Sequence, residues 1–192
     1  MGIVLASSSP RRIELLSNLN LEFKVLKSEI DENVNNKDEP FITAVSLSLQ
    51  KALDVASRVD KDDIVIGADT IVVFEGEILG KPNDEKQAYD TLKKLSGKYH
   101  TVVTGISIIR LSDNKKITDY VSTSVKMKEL DSEKIKRYIQ TKEPMDKAGA
   151  YGIQGYGALL VEKIDGDYFN VVGLPLAKLE ENLYRHFNIN II

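Results

Sequence analysis

Short apolar runs alternate along this chain with segments in which apolar residues recur at helical spacing. The run from Ile64 to Asp69 is typical of a buried strand, and the segment from Ile42 to Ala56 carries the clearest helical stripe. Asp113-Asn114 and Asp165-Gly166 are typical of hairpin turns and interrupt a simple β-α-β order. We therefore predict an α/β protein with a mixed, twisted sheet and flanking helices, folded as a single domain over residues 1–192.

The same patterns place the individual elements. Strands are predicted at Ile3–Ala6, Phe23–Leu26, Ile64–Asp69 with a resumption at Ile71–Phe74, Ile78–Leu79, Thr101–Leu111, Ile117–Val125, Leu159–Ile164 and Tyr168–Val172. Helices are predicted to begin at Ser9-Pro10, before Ile42, at Asn83 or Asp84, at Asp131 and after Pro175. An acidic, Asn-rich loop is expected between Glu29 and Glu39.

The residue inventory excludes several kinds of chemistry. Cysteine is absent, which excludes a disulfide, a thiol nucleophile and a cysteine-held metal. His100 and His186 are the only histidines, so a three-histidine metal site is excluded, and His186 is expected to be structural. Catalysis must then use carboxylate, Lys, Arg, Ser, Thr or Tyr side chains, and the metal that suits such a set is a hard one such as Mg²⁺, which prefers oxygen ligands.

Charge and hydropathy limit the partners. The net charge of −3 and the pI near 5.5 argue against binding to a nucleic-acid backbone, so no nucleic-acid partner is expected. The apolar stretches are too short to span a membrane, and the N-terminus lacks the pattern of a secretory signal. We therefore expect no membrane partner and a cytoplasmic location, while a local basic cluster would suffice for a small phosphorylated ligand.

The first candidate site is the run Ser7-Ser8-Ser9-Pro10-Arg11-Arg12, where a strand ends and a helix begins. The N–H groups and dipole of a helix N-terminus attract an anion. The dipole contributes only about 0.3–1 kcal/mol, whereas each charge-assisted hydrogen bond from an arginine contributes about 1.5–3 kcal/mol. The alternative is an ordinary capped helix with solvated arginines.

The second candidate, Gly67-Ala68-Asp69-Thr70, places an acid at the end of an apolar strand. Such a position suits metal binding or water activation, because strand ends in α/β sheets border ligand crevices. The alternative is that Asp69 caps a turn. Gly80-Lys81-Pro82 lacks the spacing of a phosphate-binding P-loop, yet Lys81 offers a single phosphate contact.

Two further segments carry candidate residues. The run from Asp146 to Gly155 contains three glycines, which suit a close backbone approach to a ligand, and Lys147 and Gln154 are its candidate ligand contacts. The alternative is a plain flexible loop. Asp31-Glu32 is a carboxylate pair in the acidic loop, and most such pairs are simply solvated.

These segments, with Lys51 at the border of the long helix's apolar stripe, occur in the order seen in the Maf family of nucleotide pyrophosphatases, which the chain resembles from Leu5 to about Pro175. The resemblance implies an inosine-triphosphatase-like (Maf) fold with a central cleft. It also implies a house-cleaning enzyme that cleaves nucleoside triphosphates between the α- and β-phosphates. Arg11, Thr70 and Gln154 match the dTTP/UTP type of the family and not the 7-methyl-GTP type. The implied substrates are therefore dTTP, UTP and modified pyrimidine nucleotides.

The resemblance and the charges together assign roles to the candidates. Asp69 is expected to be the general base for water, and Glu32 and Asp69 are expected to hold a divalent cation, Mg²⁺ or Mn²⁺. The expected specificity residues are Arg11, Thr70 and Gln154. The candidate phosphate-binding residues are Ser7, Arg12, Lys51, Lys81 and Lys147.

Two other functions stay open at this point. Maf-like proteins have been linked to arrest of septum formation, so the alternative is a non-enzymatic regulator of cell division that binds nucleotides. An RNA-binding role is disfavoured by the acidic pI. The resemblance also leaves a homodimer open, although the sequence marks no interface.

Overall fold

Residues 1–19, 21–30 and 39–192 are described by the computed structural model, and the Asp31-Glu32 pair lies outside them. The strands of the described chain are β1 (Ile3–Leu5), β2 (Phe23–Val25), β3 (Ile64–Phe74), β4 (Glu77–Leu79), β5 (Tyr99–Arg110), β6 (Lys115–Met127) and β7 (Val161–Asp165). Its α-helices are α1 (Pro10–Ser17), α2 (Pro40–Ala56), α3 (Glu85–Leu95), α4 (Ser132–Gln140), α5 (Tyr168–Val172) and α6 (Leu176–Phe187). Short 3₁₀ helices at Glu143–Asp146, Ala148–Ala150 and Gly155–Leu159 follow α4. None of the described helices is long and apolar enough to cross a membrane.

The strands form a mixed sheet. Their order is β2-β1-β3-β5-β6-β7, and β4 pairs with β3 outside this path. Strand β1 runs parallel to both β2 and β3, whereas the β3–β4 and β6–β7 pairs are antiparallel. Parallel strands are covered on both faces, which explains why the run from Ile64 to Ala68 is apolar and buried throughout. This architecture confirms the predicted α/β class with a mixed sheet and flanking helices.

Backbone contacts divide the chain into two compact units. The first unit contains Met1–Asp69, Thr104–Val121 and Gly173–Ile192. The second unit contains Thr70–Val103 and Ser122–Val172. The single domain over residues 1–192 stays a prediction.

In the first unit, α2 packs with residues of β1, β3 and β5 in a buried apolar cluster. The predicted helix is confirmed, but its buried face is shifted from the predicted stripe. Ala52 and Ala56 of that stripe are buried, whereas Ile42 and Leu53 are exposed, and Lys51 belongs to the buried face instead of bordering it. Small side chains on α2 allow the helix to lie close to the strands. The cluster consists of Val4, Ala6, Ala52, Val55, Ala56, Val65 and Ile109.

In the second unit, α3 and α4 pack on a larger apolar cluster that includes Leu92, Ile135 and Tyr138. Both helices begin with a predicted cap: Asp84, one of the two residues predicted for α3, and Asp131 for α4. Asp84 Oδ1 accepts a hydrogen bond from a backbone N–H of α3 at 2.7 Å, and Asp131 Oδ1 accepts one from α4 at 2.7 Å. Such caps satisfy N–H groups that have no partner within the helix.

The predicted strand Tyr168–Val172 is wrong, because this segment forms α5. Asp167 begins the helix by accepting a hydrogen bond from the N–H of Phe169 at 2.7 Å. The buried Asn170 amide donates to the Thr123 hydroxyl at 2.8 Å. These contacts override the strand preference of the aromatic and β-branched side chains in the segment. The other half of the predicted hairpin forms β7, which pairs with β6 instead.

Candidate active site

Asp69 and Lys51 form a nearly buried ion pair in the first unit. Lys51 Nζ donates to Asp69 Oδ1 at 2.5 Å, and the two side chains are 11% and 10% exposed. A charge-assisted hydrogen bond of this kind orients the carboxylate. Asp69 lies inside β3, so the predicted position at a strand end and the alternative that it caps a turn are both wrong. Thr70 follows directly and is half-buried.

Gly67 explains why Lys51 reaches Asp69. Side chains alternate along a strand, so residues 67 and 69 of β3 face the same side. A Cβ at Gly67 would lie 2.3 Å from the carbonyl oxygen of Ser48 and 2.9 Å from Ala52 Cβ. The backbone of α2 therefore lies directly against this face of β3. Lys51, which lies between those two α2 residues, is carried to the carboxylate two residues further along the strand.

A second glycine brings the beginning of α2 against β5. A Cβ at Gly105 would lie 2.4 Å from the carbonyl carbon and oxygen of Ala44. Next to this contact, Ser48 Oγ donates to the Val45 carbonyl at 2.8 Å and lies 2.7 Å from Ser107 Oγ. Close backbone packing and buried hydrogen bonds therefore fix the position of the helix that carries the lysine.

Arg12 is bound at the start of α1. Its Nε donates to the carbonyl of Gly173 at 2.7 Å, and its Nη1 donates to Ser7 Oγ at 3.3 Å. Ser7 Oγ also accepts from the N–H of Ser9 at 3.2 Å, whereas the Ser9 side chain makes no capping hydrogen bond. The alternative of a solvated arginine is therefore wrong for Arg12. Arg11 precedes it and is half-buried.

One backbone hydrogen bond joins two of the predicted segments in the second unit. The N–H of Gly149 donates to the carbonyl of Gly80 at 3.1 Å. Gly149 has a φ of +68°, and a Cβ there would lie 2.9 Å from Val72 Cγ1. The glycine thus permits a close approach within the protein itself. Lys81, which follows Gly80, is exposed.

Lys147 is held by oxygens of its own loop. Its Nζ donates to the carbonyl of Glu143 at 2.7 Å and to Asp146 Oδ1 at 2.7 Å. A Cβ at Gly152 would lie 2.9 Å from Lys147 Cε, so the aliphatic stem lies against that glycine. These two hydrogen bonds use two of the three N–H donors of the ammonium group.

Glu143 organises the turn that follows Gln154, and the sequence analysis did not identify it. Its Oε1 accepts from the hydroxyl of Tyr138 at 2.9 Å and from the N–H of Gly157 at 2.9 Å. Its Oε2 accepts from the N–H of Tyr156 at 3.0 Å. The two N–H groups lie 13 and 14 residues away, which leaves no local sequence pattern. The half-buried Gln154 lies immediately before the capped turn.

Tyr151, within the same glycine-rich loop, is hydrogen-bonded to His100 of β5. The Tyr151 hydroxyl lies 2.7 Å from His100 Nε2, and the two rings meet edge to face with centroids 5.3 Å apart. Burial lowers the pKa of His100 to about 4 and raises the pKa of Tyr151. His100 is therefore a neutral ring that anchors the loop, and its Nδ1 is buried without a hydrogen-bond partner in the part of the chain that the structure describes.

Few side chains at the candidate site could bind a metal ion. Among residues 1–19, 21–30 and 39–192, no three His, Asp or Glu side chains form a group able to hold a metal ion. Asp69 contributes one carboxylate, and Glu32 lies outside the described residues. Mg²⁺ is usually bound through one or two carboxylates plus substrate phosphates. The described residues therefore supply one carboxylate, Asp69, toward an ion that would be shared with a phosphorylated substrate.

The sequence is similar to known proteins over its whole length. The family model for Maf-like protein matches residues 2–186. The dTTP/UTP pyrophosphatase of Clostridioides difficile is 53% identical over 191 residues, covering 100% of this chain and 98% of that protein. The dTTP/UTP pyrophosphatase of Alkaliphilus metalliredigens is 53% identical, covering 99% of this chain and 98% of that protein. The dTTP/UTP pyrophosphatase of Dictyoglomus turgidum is 47% identical, covering 95% of each chain.

Two solved structures are also similar. One is a nucleoside-triphosphatase / dITP/XTP pyrophosphatase from Mycobacterium abscessus, with a TM-score of 0.46, 11% identity, and coverage of 93% of this chain and 91% of that chain. The other is the Staphylococcus aureus Ham1 protein, with a TM-score of 0.48, 18% identity, and coverage of 84% and 80%. The match of the family model to nearly the whole chain, together with the identity to the relatives, shows that this protein belongs to the Maf family.

Proposed function

We propose that this protein is a nucleoside triphosphate pyrophosphatase that hydrolyses dTTP and UTP to the monophosphate and pyrophosphate. The observation that carries the proposal is the 53% identity, over the full length, to relatives named dTTP/UTP pyrophosphatase. Arg11, Thr70 and Gln154 are the proposed specificity residues. Modified pyrimidine nucleotides belong to the same proposed substrate class.

Asp69 is the proposed general base. Hydrolysis adds water across the anhydride between the α- and β-phosphates: the water oxygen bonds to phosphorus, the bridging P–O bond breaks, and Asp69 accepts the water proton. Lys51, 2.5 Å from Asp69 Oδ1, orients the carboxylate and places a positive charge beside it for an anionic substrate. A positioned base contributes about 10²–10⁴-fold to the rate.

Cationic side chains supply the remaining charge stabilisation on which phosphoryl chemistry depends. Arg12 is set in place by Ser7 and Gly173 and presents a guanidinium that suits phosphate oxygens. Lys147 is similarly held and contributes positive charge from a fixed position. Lys81 is exposed and is a proposed single phosphate contact.

The proposed cofactor is a divalent cation, Mg²⁺ or Mn²⁺, held by Asp69, Glu32 and phosphate oxygens. When bound, the ion offsets negative charge on the phosphates. The oxygen-only donor set supports this choice. EDTA is expected to abolish hydrolysis and to weaken nucleotide binding measured by calorimetry, and Mg²⁺ or Mn²⁺ is expected to restore both. Full activity after exhaustive chelation would contradict the proposal.

The central experiment measures pyrophosphate release from dTTP, UTP, dATP and 7-methyl-GTP with Mg²⁺ or Mn²⁺. The expected result is the highest kcat/KM for dTTP and UTP, with the monophosphate and pyrophosphate identified as products by phosphorus NMR. Release of inorganic phosphate and a diphosphate would reject cleavage between the α- and β-phosphates. A preference for 7-methyl-GTP would reject the substrate class.

The same assay separates this function from the alternative of a nucleotide-binding regulator of septum formation, which predicts tight binding without turnover. No contact among the described residues favours that alternative. A cytoplasmic location and a homodimer are proposed as well, and cell fractionation and light scattering test them.

A further inference from the structure

Glu143 accepts hydrogen bonds from both ends of the loop that carries Lys147 and Gln154. We propose that Glu143 is a positioning residue for substrate selectivity, which holds Gln154 at a set place relative to the Lys147 ammonium. This inference rests on the proposed function and deepens it, because it names a residue that determines how the loop presents its substrate contacts.

The carboxylate of Glu143 fixes the far end of the loop. It accepts hydrogen bonds from the N–H groups of Tyr156 and Gly157 at 3.0 and 2.9 Å, and so caps the turn that begins after Gln154. Gly155 has a φ of +64°, and a Cβ there would lie 2.6 Å from Glu143 Oε2. The backbone directly after Gln154 therefore lies in contact with the carboxylate, in a conformation that favours glycine.

The backbone of Glu143 fixes the near end. Its carbonyl oxygen accepts from Lys147 Nζ at 2.7 Å. The carboxylate and the carbonyl belong to one residue, so the Lys147 ammonium and the turn after Gln154 share a common anchor. A shift of Glu143 would move both contacts together.

Tyr138 reinforces the anchor from α4. Its hydroxyl donates to Glu143 Oε1 at 2.9 Å and accepts from the N–H of Gly152 at 3.3 Å. Burial and the bond to Glu143 raise the pKa of Tyr138, so the hydroxyl keeps its proton. A Cβ at Gly157 would lie 2.0 Å from the carbonyl oxygen of Gly152, which shows that the loop closes tightly on itself.

Glu143→Gln tests the proposal with little change of size. The glutamine amide offers one acceptor oxygen and one NH₂ donor, so at least one of the three groups that now donate to the carboxylate would face a donor. We expect the ratio of kcat/KM for dTTP to that for dATP to fall about tenfold, as is typical when a buried donor loses its acceptor. The fall should lie mainly in KM for dTTP, because the loop acts in binding.

Asp131→Ala is the matched control. It removes another carboxylate that caps a helix of the second unit, at a position outside the loop. It is expected to lower the melting temperature and to leave the dTTP/dATP ratio within twofold of the wild type. A purely structural role of Glu143 predicts the same result for Glu143→Gln.

The outcomes separate the inference from the proposed function. If the wild type releases no pyrophosphate from dTTP, the proposed function fails. If the wild type is selective and Glu143→Gln keeps the dTTP/dATP ratio, or loses activity equally on both nucleotides, the inference is overturned. If Glu143→Gln does not fold, Tyr138→Phe decides, because it removes only one hydroxyl: a reduced ratio supports the inference, and an unchanged ratio overturns it.

Discussion

The ammonium of Lys51 lies 2.5 Å from Asp69 Oδ1, and about nine-tenths of each side chain is removed from solvent. Two opposite charges in such a place attract each other more strongly than on the surface, because little water screens them. The pair comes from two different elements, α2 and β3, and the contact of α2 with Gly67 brings them together. The geometry of the proposed general base and the packing of α2 are therefore coupled at this point.

Asp69→Asn is expected to fold and to lose nearly all hydrolysis. Asparagine keeps the shape and an oxygen acceptor for Lys51, but its amide cannot accept a proton as a base, and such a loss costs about 10²–10⁴-fold in rate. Pyrophosphate release and circular dichroism measure the two effects. Asp54→Asn, at the surface ion pair with Arg58, is the matched control and should keep full activity. Near-normal turnover by Asp69→Asn would show that another residue is the general base, and Glu32 would be the first to examine.

Lys51→Met is expected to destabilise the protein by roughly 3 kcal/mol, because it takes the cation away from a buried carboxylate. The double variant with Asp69→Asn should regain much of this free energy of unfolding while remaining inactive. Urea unfolding of the four proteins measures the coupling. Lys86→Met, which removes an exposed pair with Asp90, should leave the unfolding midpoint unchanged. Additive effects of the two buried substitutions would show that the pair is not coupled.

Gly67→Ala is expected to lower both stability and activity. The new Cβ would meet the Ser48 carbonyl oxygen at 2.3 Å, so α2 must move away from β3 and carry Lys51 with it. Overpacking of this kind costs about 1–3 kcal/mol. Gly80→Ala is the stability control, since a Cβ there meets nothing within 4 Å. Equal unfolding midpoints for the two variants would contradict the role of close packing.

Local patterns predict local structure in this chain. Asp84 and Asp131 are correctly predicted as caps because each lies next to the N–H group that it accepts from. The segment Tyr168–Val172 is predicted wrongly although Asp167 caps it locally, and the contact that holds it, from Asn170 to β6, spans 47 residues. Glu143 is missed because the two N–H groups that its carboxylate caps lie 13 and 14 residues away.

The same contrast between local patterns and distant contacts applies to the candidate site residues. The sequence places Lys51 at the border of an apolar stripe and Asp69 at the end of an apolar run, but their contact depends on the packing of Gly67 against α2. No pattern in either segment predicts that distance. The resemblance to a family identifies Lys51 and Asp69 as candidates, and the structure shows the distance between them.

His100 makes stability depend on pH. Burial lowers its pKa to about 4, whereas an unfolded histidine titrates near 6.5. The unfolded chain therefore binds more protons between these values, so this contribution to stability is complete above the unfolded pKa and is lost as pH falls towards about 4. From about pH 7 to about pH 5, linkage predicts a loss of about 2 kcal/mol from this group.

Urea unfolding at both pH values, in the wild type and in His100→Phe, checks this contribution. The variant should show a smaller pH dependence, whatever its absolute stability. His186→Gln is the matched control, because it removes an exposed histidine at the end of α6. Equal pH dependence in the wild type and His100→Phe would contradict a neutral, buried His100.

Gln154→Ala is expected to reduce the preference for dTTP and UTP over the other nucleotides by a larger factor than it reduces the total hydrolytic activity. Thymine and uracil present two carbonyl acceptors and one N–H donor on the Watson–Crick edge, and they lack an exocyclic amine. The amide of Gln154 supplies both a donor and an acceptor for such an edge. A wrong base leaves these polar groups without partners, at a cost of about 1–3 kcal/mol each. Discrimination of roughly tenfold to hundredfold follows.

In the proposed division of roles, Thr70 would link the placement of base or sugar to the neighbouring Asp69, while Arg11 would orient the phosphates. Removing Gln154 should therefore reduce the preference between bases and leave phosphate binding and proton transfer in place. The measurement is kcat/KM for dTTP, UTP, dATP and 7-methyl-GTP in the wild type, in Gln154→Ala and in Gln140→Ala, which changes an exposed glutamine at the end of α4. Gln140→Ala should keep the full preference. If Gln154→Ala keeps it as well, Gln154 does not read the base, and the selectivity must come from Thr70, Arg11 or the backbone of the glycine-rich loop.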